Sequence, residues 1–69
     1  MDNAERGKLD VLLNHWIEHN KEHGEEYREW TEKAKSLEEA EVHDYILEAV
    51  QQMEKVNESL LKALSKLRG

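Results

Sequence analysis

The chain has no cysteine, no proline and no phenylalanine, and only three glycines. Without cysteine there is no disulfide to brace a small fold, no thiolate nucleophile, no Cys-x-x-Cys redox pair and no thiolate metal site. The shortage of proline and glycine leaves no linker-type tract, and no internal repeat or low-complexity segment is present. No apolar run approaches the roughly 18 residues of a membrane span. The opening MDNAERGKLD lacks the charged-then-apolar layout of a signal peptide, so neither insertion nor export is expected, and a soluble cytoplasmic protein is the default. Basic residues are outnumbered, 10 Lys and Arg against 16 Asp and Glu. A phosphate backbone is therefore a poor ligand, because nucleic-acid binders need a basic face.

What is present is one small domain, residues 1–69, at a size where folding buries only about 60% of the surface of the unfolded chain. Such a core needs a supplement, and with disulfides excluded the candidates are self-association, a metal, or very regular helices. The acidity is uneven. Residues 17–48 hold eleven acids and four bases, whereas residues 49–69 hold two acids and four bases. An acidic neighbourhood attracts divalent cations, although a charge run is also what a solvated helix face looks like.

Apolar residues recur at helical spacing at Leu9, Leu13, Trp16, Tyr27, Trp30 and Ala34, with Leu12 beside them. At about 100° per residue these share one stripe of an amphipathic helix. A second stripe, Val42, Ile46, Ala49, Met53, Val56, Leu60, Ala63 and Leu67, advances in threes and fours and reads as a helix-packing seam. Between them Ser36 precedes Glu39 by three residues, the pattern of a capping box that starts the second helix. Lys33 and Lys35, then Glu38, Glu39 and Glu41, then Lys62, Lys66 and Arg68 all suit the helix dipoles. The expected fold is all-α: an antiparallel hairpin with helices over 8–34 and 37–67 and a turn at 35–37. Gly24 costs about 1 kcal/mol relative to Ala in a helix interior and rarely breaks one; a kink after His23, giving three helices, is the alternative.

Helices of about 40 Å bury only one face against each other. Leu12, Leu37, Tyr45, Leu47, Val50, Leu61 and Leu64 flank the main stripes, and a second copy forming an antiparallel four-helix bundle is the simplest cover. A homodimer is expected. Trp16 and Trp30 read as core-filling rings, and Asn20 as a polar residue that fixes register or bonds to a histidine.

Three of the four histidines stand in His15-x3-His19-x3-His23. On a helix, imidazoles at i and i+4 can turn nitrogens to a common point and offer a bidentate site to nickel, cobalt, zinc or copper. Glu22 and Glu26, three residues after His19 and His23, could supply a third ligand or orient an imidazole. The candidate metal residues are thus His15, His19, His23, Glu22 and Glu26. The competing reading is a core-edge or exposed histidine with no metal. His43, on the second helix, is expected too far along the hairpin to join the ladder within one chain.

Enzyme chemistry finds little support. Ser36, Ser59, Ser65 and Thr31 have no paired histidine, and Glu-x-x-His, His-Glu-x-x-His and Gly-rich phosphate loops are all absent. No catalytic residue is expected.

The segment Leu12-Leu13-Asn14-His15-Trp16-Ile17-Glu18-His19-Asn20-Lys21-Glu22-His23, followed by Glu25-Glu26-Tyr27-Arg28-Glu29-Trp30, resembles a group of small uncharacterised prokaryotic helical domains, over most of the chain. Gly24 stands where that resemblance leads one to expect Ala. Such domains sometimes accompany nickel-handling proteins of the CooT type, so the resemblance implies a metal-related role for His15, His19 and His23 and a metal-handling protein as partner. Two functions follow: a divalent-metal chaperone or store, or a metal-free self-association or interaction module with interfacial histidines.

Overall fold

The computed structural model describes residues 3–69, which form two helices, α1 (Asn3–Ser36) and α2 (Ala40–Arg68), packed side by side as an antiparallel hairpin. The molecule is a rod of 53 × 14 × 13 Å. Its length is set by α1, since 34 residues at about 1.5 Å each span about 51 Å. The first helix runs unbroken through Gly24, so the three-helix alternative does not apply.

The packed positions form a strict alternation of four and three. On α1 they are Leu13, Ile17, Asn20, Gly24, Tyr27, Thr31 and Ala34; on α2 they are His43, Ile46, Val50, Met53, Asn57, Leu60, Leu64 and Leu67. These are the a and d positions of two heptad helices. Leu13, Ala34, Val50 and Leu64 are the buried apolar residues, with Val50 only 1% exposed.

One row of the seam on each helix matches the sequence expectation, Leu13, Tyr27 and Ala34 on α1 and Ile46, Met53, Leu60 and Leu67 on α2, and the other row is displaced by one residue. Val50 and Leu64, expected on the flank, are inside, while Val42 and Val56, expected inside, are 46% and 48% exposed. Trp16 and Trp30, expected to fill the core, are 41% and 51% exposed. The reason is the width of the apolar arc. On α2 it covers about half the helix, so the partner helix decides which line is inside. The α1 residues that let the backbones approach are the small ones, Gly24, Thr31 and Ala34, not the indoles. Burial leaves Thr31 satisfied, because its Oγ1 donates to the Tyr27 carbonyl at 2.8 Å.

Polar contacts fix the register. Asn20 Nδ2 donates to Asn57 Oδ1 at 3.1 Å, and Asn57 Nδ2 donates to the Ile17 carbonyl at 3.1 Å. The partner of Asn20 is therefore Asn57 and not a histidine. Towards the open end Arg68 grips Asp10 through two hydrogen bonds of 2.9 and 3.0 Å, and further along the same side Arg28 pairs with Glu54. The Arg68 hydrogen bonds hold the Asp10 carboxyl below its ordinary value of 3.8 and raise the guanidinium in turn.

The turn does not use the capping box. Ser36 closes α1 with its Oγ donating to the Glu32 carbonyl at 3.2 Å, and Glu39, the residue before α2, makes no side-chain cap bond. Instead the Glu39 amide reaches the Ala34 carbonyl and the Glu38 amide the Lys35 carbonyl, both at 3.0 Å. This pair of bonds is a Schellman ending, which needs a left-handed residue between them. Glu38 takes that role at φ 61°, a conformation glycine adopts more cheaply. The left-handed step delays the second helix to Ala40.

Candidate functional site

Two flanks run beside the seam. One is mixed, carrying Lys21 and Arg28 on α1 and Leu47, Glu54, Leu61 and Arg68 on α2. The other follows from heptad geometry: the positions preceding each a residue are Trp16, His23 and Trp30 on α1, and Val42, Ala49, Val56 and Ala63 on α2. In an antiparallel pair these two rows lie on the same side of the molecule. Near the turn this flank contains an open apolar depression of about 380 Å³ lined by Tyr27, Val42, Tyr45, Ile46 and Ala49. Leu12 and His19 border the flank, not the depression, about 40° further round α1.

The histidine ladder climbs onto this flank. His15 and His19 stack with ring centroids 5.4 Å apart, His19 and His23 meet edge to face at 4.6 Å, and His23 stacks on Tyr27 at 6.1 Å. The helix produces this because residues four apart lie one above the other. The ladder drifts about 40° at each step. His15 accordingly faces away from the seam, His19 lies at the border, and His23 points out of the apolar face. Glu26 is on the His19 row, with its carboxylate 4.0 Å from His23 Nδ1. Glu22 shares the outward row of His15.

The α1 backbone thus brings the rings of His15, His19 and His23 into one contiguous stack with Glu26 beside His23, while His15 and Glu22 lie on the row furthest from the seam. Among the described residues no group of three or more His, Asp or Glu is arranged to hold a metal ion. His43 lies in the α2 seam, with its Nδ1 3.1 Å from Asp44 Oδ1. It is 14 residues from Asn57 and 10 from Met53, so about 21 Å along the axis from the level of His19 and about 15 Å from that of His23.

Sequence reasoning missed two participants. Asn57 was findable, as an Asn seven residues after Val50 and seven before Leu64 in a heptad row. The role of Val42, Ala49, Val56 and Ala63 as an outer face was not, because the same residues fit equally well as the seam. Trp30 gains one contact on the flank, the ammonium of Lys33 standing 4.1 Å from its ring centroid.

Residues 9–67 match the family described as "Domain of unknown function (DUF8180)". The chain belongs to this family. One relative, from Archaeoglobus fulgidus and described as an uncharacterized protein, is 40% identical over 57 residues, covering 83% of this chain and 90% of its own. No solved structure matches. The matched span includes the whole packed seam, the three ladder histidines and the turn. No described helix is long and apolar enough to cross a membrane.

Proposed function

We propose that this family member is a self-associating helical module, a binding protein and not an enzyme, in which two hairpins join through the Trp16, His23, Trp30, Val42 and Val56 flank into an antiparallel four-helix bundle. One observation carries the reading. The hairpin exposes 5557 Å², whereas a monomeric globular protein of 8.2 kDa exposes about 4500 Å². The surplus, roughly 1000 Å², exceeds the ~800 Å² that each partner contributes to a standard interface. The rod shape spreads that surplus over the molecule, and the exposed Trp16, Trp30, Val42 and Val56 make this flank one large apolar part of it. Burying the exposed half of each indole, about 100–130 Å² on a ring of up to ~250 Å², contributes at most about 3 kcal/mol apiece at ~25 cal/mol per Å².

A second reading, divalent-metal binding in a chaperone or storage role for nickel, cobalt or zinc, draws on the spacing of the His19 and His23 rings, which suits bidentate coordination. A partner among nickel-handling proteins, as the resemblance to CooT-associated domains implies, belongs to this reading.

The self-association reading is tested by Val56→Glu. A charge buried between two copies and left unpaired opposes association strongly, while at this exposed position the single hairpin loses little. Wild type is expected at twice 8.2 kDa by light scattering and the variant at the single mass, both helical. A wild-type mass of one chain defeats the proposal.

A further inference from the structure

The two ends of the hairpin differ in charge. Residues 22–55, the half containing the turn, hold eleven acids and four bases; residues 3–21 and 56–69, the open half, hold four acids and six bases. Two copies stacked with turns at the same end would place two strongly acidic halves together. Stacked in opposite directions, each acidic half meets a basic one, and like charges across an interface are what suppress a wrong arrangement. A symmetric pair stacked in this way has its two-fold axis across the middle of the rod. On α1 the midpoint of Asn3–Ser36 lies between His19 and Asn20, and the midpoint between Asp10 at the open end and Ala34 at the turn is residue 22. The axis therefore crosses α1 between His19 and His23, the two ladder members nearest the apolar flank.

We infer that the copies pack turn to open end, with α1 against α1 of the partner, and that the four imidazoles of His19 and His23 gathered at the two-fold axis bind one divalent transition ion per dimer. This rests on the self-association reading. A single chain supplies two imidazoles, with ring centroids 4.6 Å apart; the two-fold doubles them, and four nitrogen donors complete the tetrahedral set that zinc prefers and that nickel and cobalt also accept. Rows one turn apart on antiparallel helices 8–10 Å apart reach the same small volume. The Glu26 carboxylate, 4.0 Å from His23 Nδ1, would have to close by about 1 Å to accept a hydrogen bond from that nitrogen while the other ring nitrogen faces the ion. His15 and Glu22, facing outward, take no part.

The test combines a distance with a titration. Because the chain has no cysteine, Ser36→Cys carries a single spin label at the turn. Pulsed dipolar spectroscopy on the dimer is expected to give a separation of about 40–50 Å, twice the distance along α1 from Ser36 to the axis at ~1.5 Å per residue. A separation on the order of 20 Å, two turns side by side, overturns the arrangement. Calorimetric titration of chelator-stripped protein with zinc and with nickel is expected to give one ion per two chains. The double variant His19→Ala, His23→Ala should weaken binding by more than about a hundredfold while the dimer mass holds, and His15→Ala should leave affinity unchanged. A dimer with the long separation that binds no ion, or binds it equally in the double variant, overturns the metal site alone. A monomeric mass overturns the self-association reading itself and the site with it.

Discussion

Asn57 is the residue whose removal tests the packing most sharply. Its amide accepts from Asn20 and donates to the Ile17 carbonyl, bridging the helices near mid-length. In Asn57→Ala both bonds go. The Ile17 carbonyl keeps its helical partner, but the half-buried Asn20 amide must turn to water. Each such bond is worth about 1 kcal/mol net, so the loss is about 1–2 kcal/mol. For a domain of this size 1 kcal/mol moves the melting temperature by about 4–8 °C. The assay is thermal denaturation followed by circular dichroism, at fixed protein concentration because a self-associating chain melts higher when concentrated. Asn20→Leu, Asn57→Leu replaces both partners with apolar groups and is expected to be at least as stable as wild type, since paired removal leaves nothing unsatisfied. A double-mutant cycle with Asn20→Ala should give a coupling of at least about 0.5 kcal/mol. Additive effects, or an Asn57→Ala melting point equal to wild type, would refute the bridge.

Three further outcomes are expected. Gly24→Ala should raise the melting temperature by roughly 1 kcal/mol worth of stability, since an added Cβ would sit 3.9 Å from Met53 Cγ, an ordinary contact, and α1 already passes through this position as helix; a destabilised variant would mean the two helices need closer approach there. Glu38→Gly should stabilise by about 1 kcal/mol by relieving the left-handed cost at φ 61°, read by the same melts, and no gain would show that the turn takes another conformation. The Asp10 carboxyl sits below its ordinary pKa because of the Arg68 hydrogen bonds, so the pair supports the fold fully above about pH 4 and loses that support as pH falls through the lowered value. Asp10→Asn should therefore melt below wild type at pH 6, with the gap narrowing as pH falls through the lowered value; a gap that does not narrow in acid would remove the ion pair as its cause.

The long helices and the hairpin were legible because period and charge agree over many turns: Val42 to Leu67 cannot be read as strand, and the lysines before the turn and the acids after it suit helix ends. The choice of inner line was not legible. On α2 the residues Val42, Val50, Val56 and Leu64 are all apolar, and only the small α1 residues opposite them, with the Asn20 and Asn57 pairing, select Val50 and Leu64. The turn was misread for a different reason. Ser36 and Glu39 have the spacing of a capping box, but a Schellman ending with a non-glycine left-handed residue at Glu38 gives no sequence signal. The closeness of His19 and His23 was legible because it depends only on the local helical repeat. The burial of their surroundings was not, because it depends on the neighbouring helix and, on the account given above, on a second copy.

The most direct test of that account is sedimentation equilibrium of wild-type protein from about micromolar to millimolar loading. The self-association reading predicts one species at twice 8.2 kDa, dissociating only on dilution. A single species of 8.2 kDa across the whole range would mean that the Trp16, Trp30 and Val56 face is left to solvent, and would contradict it.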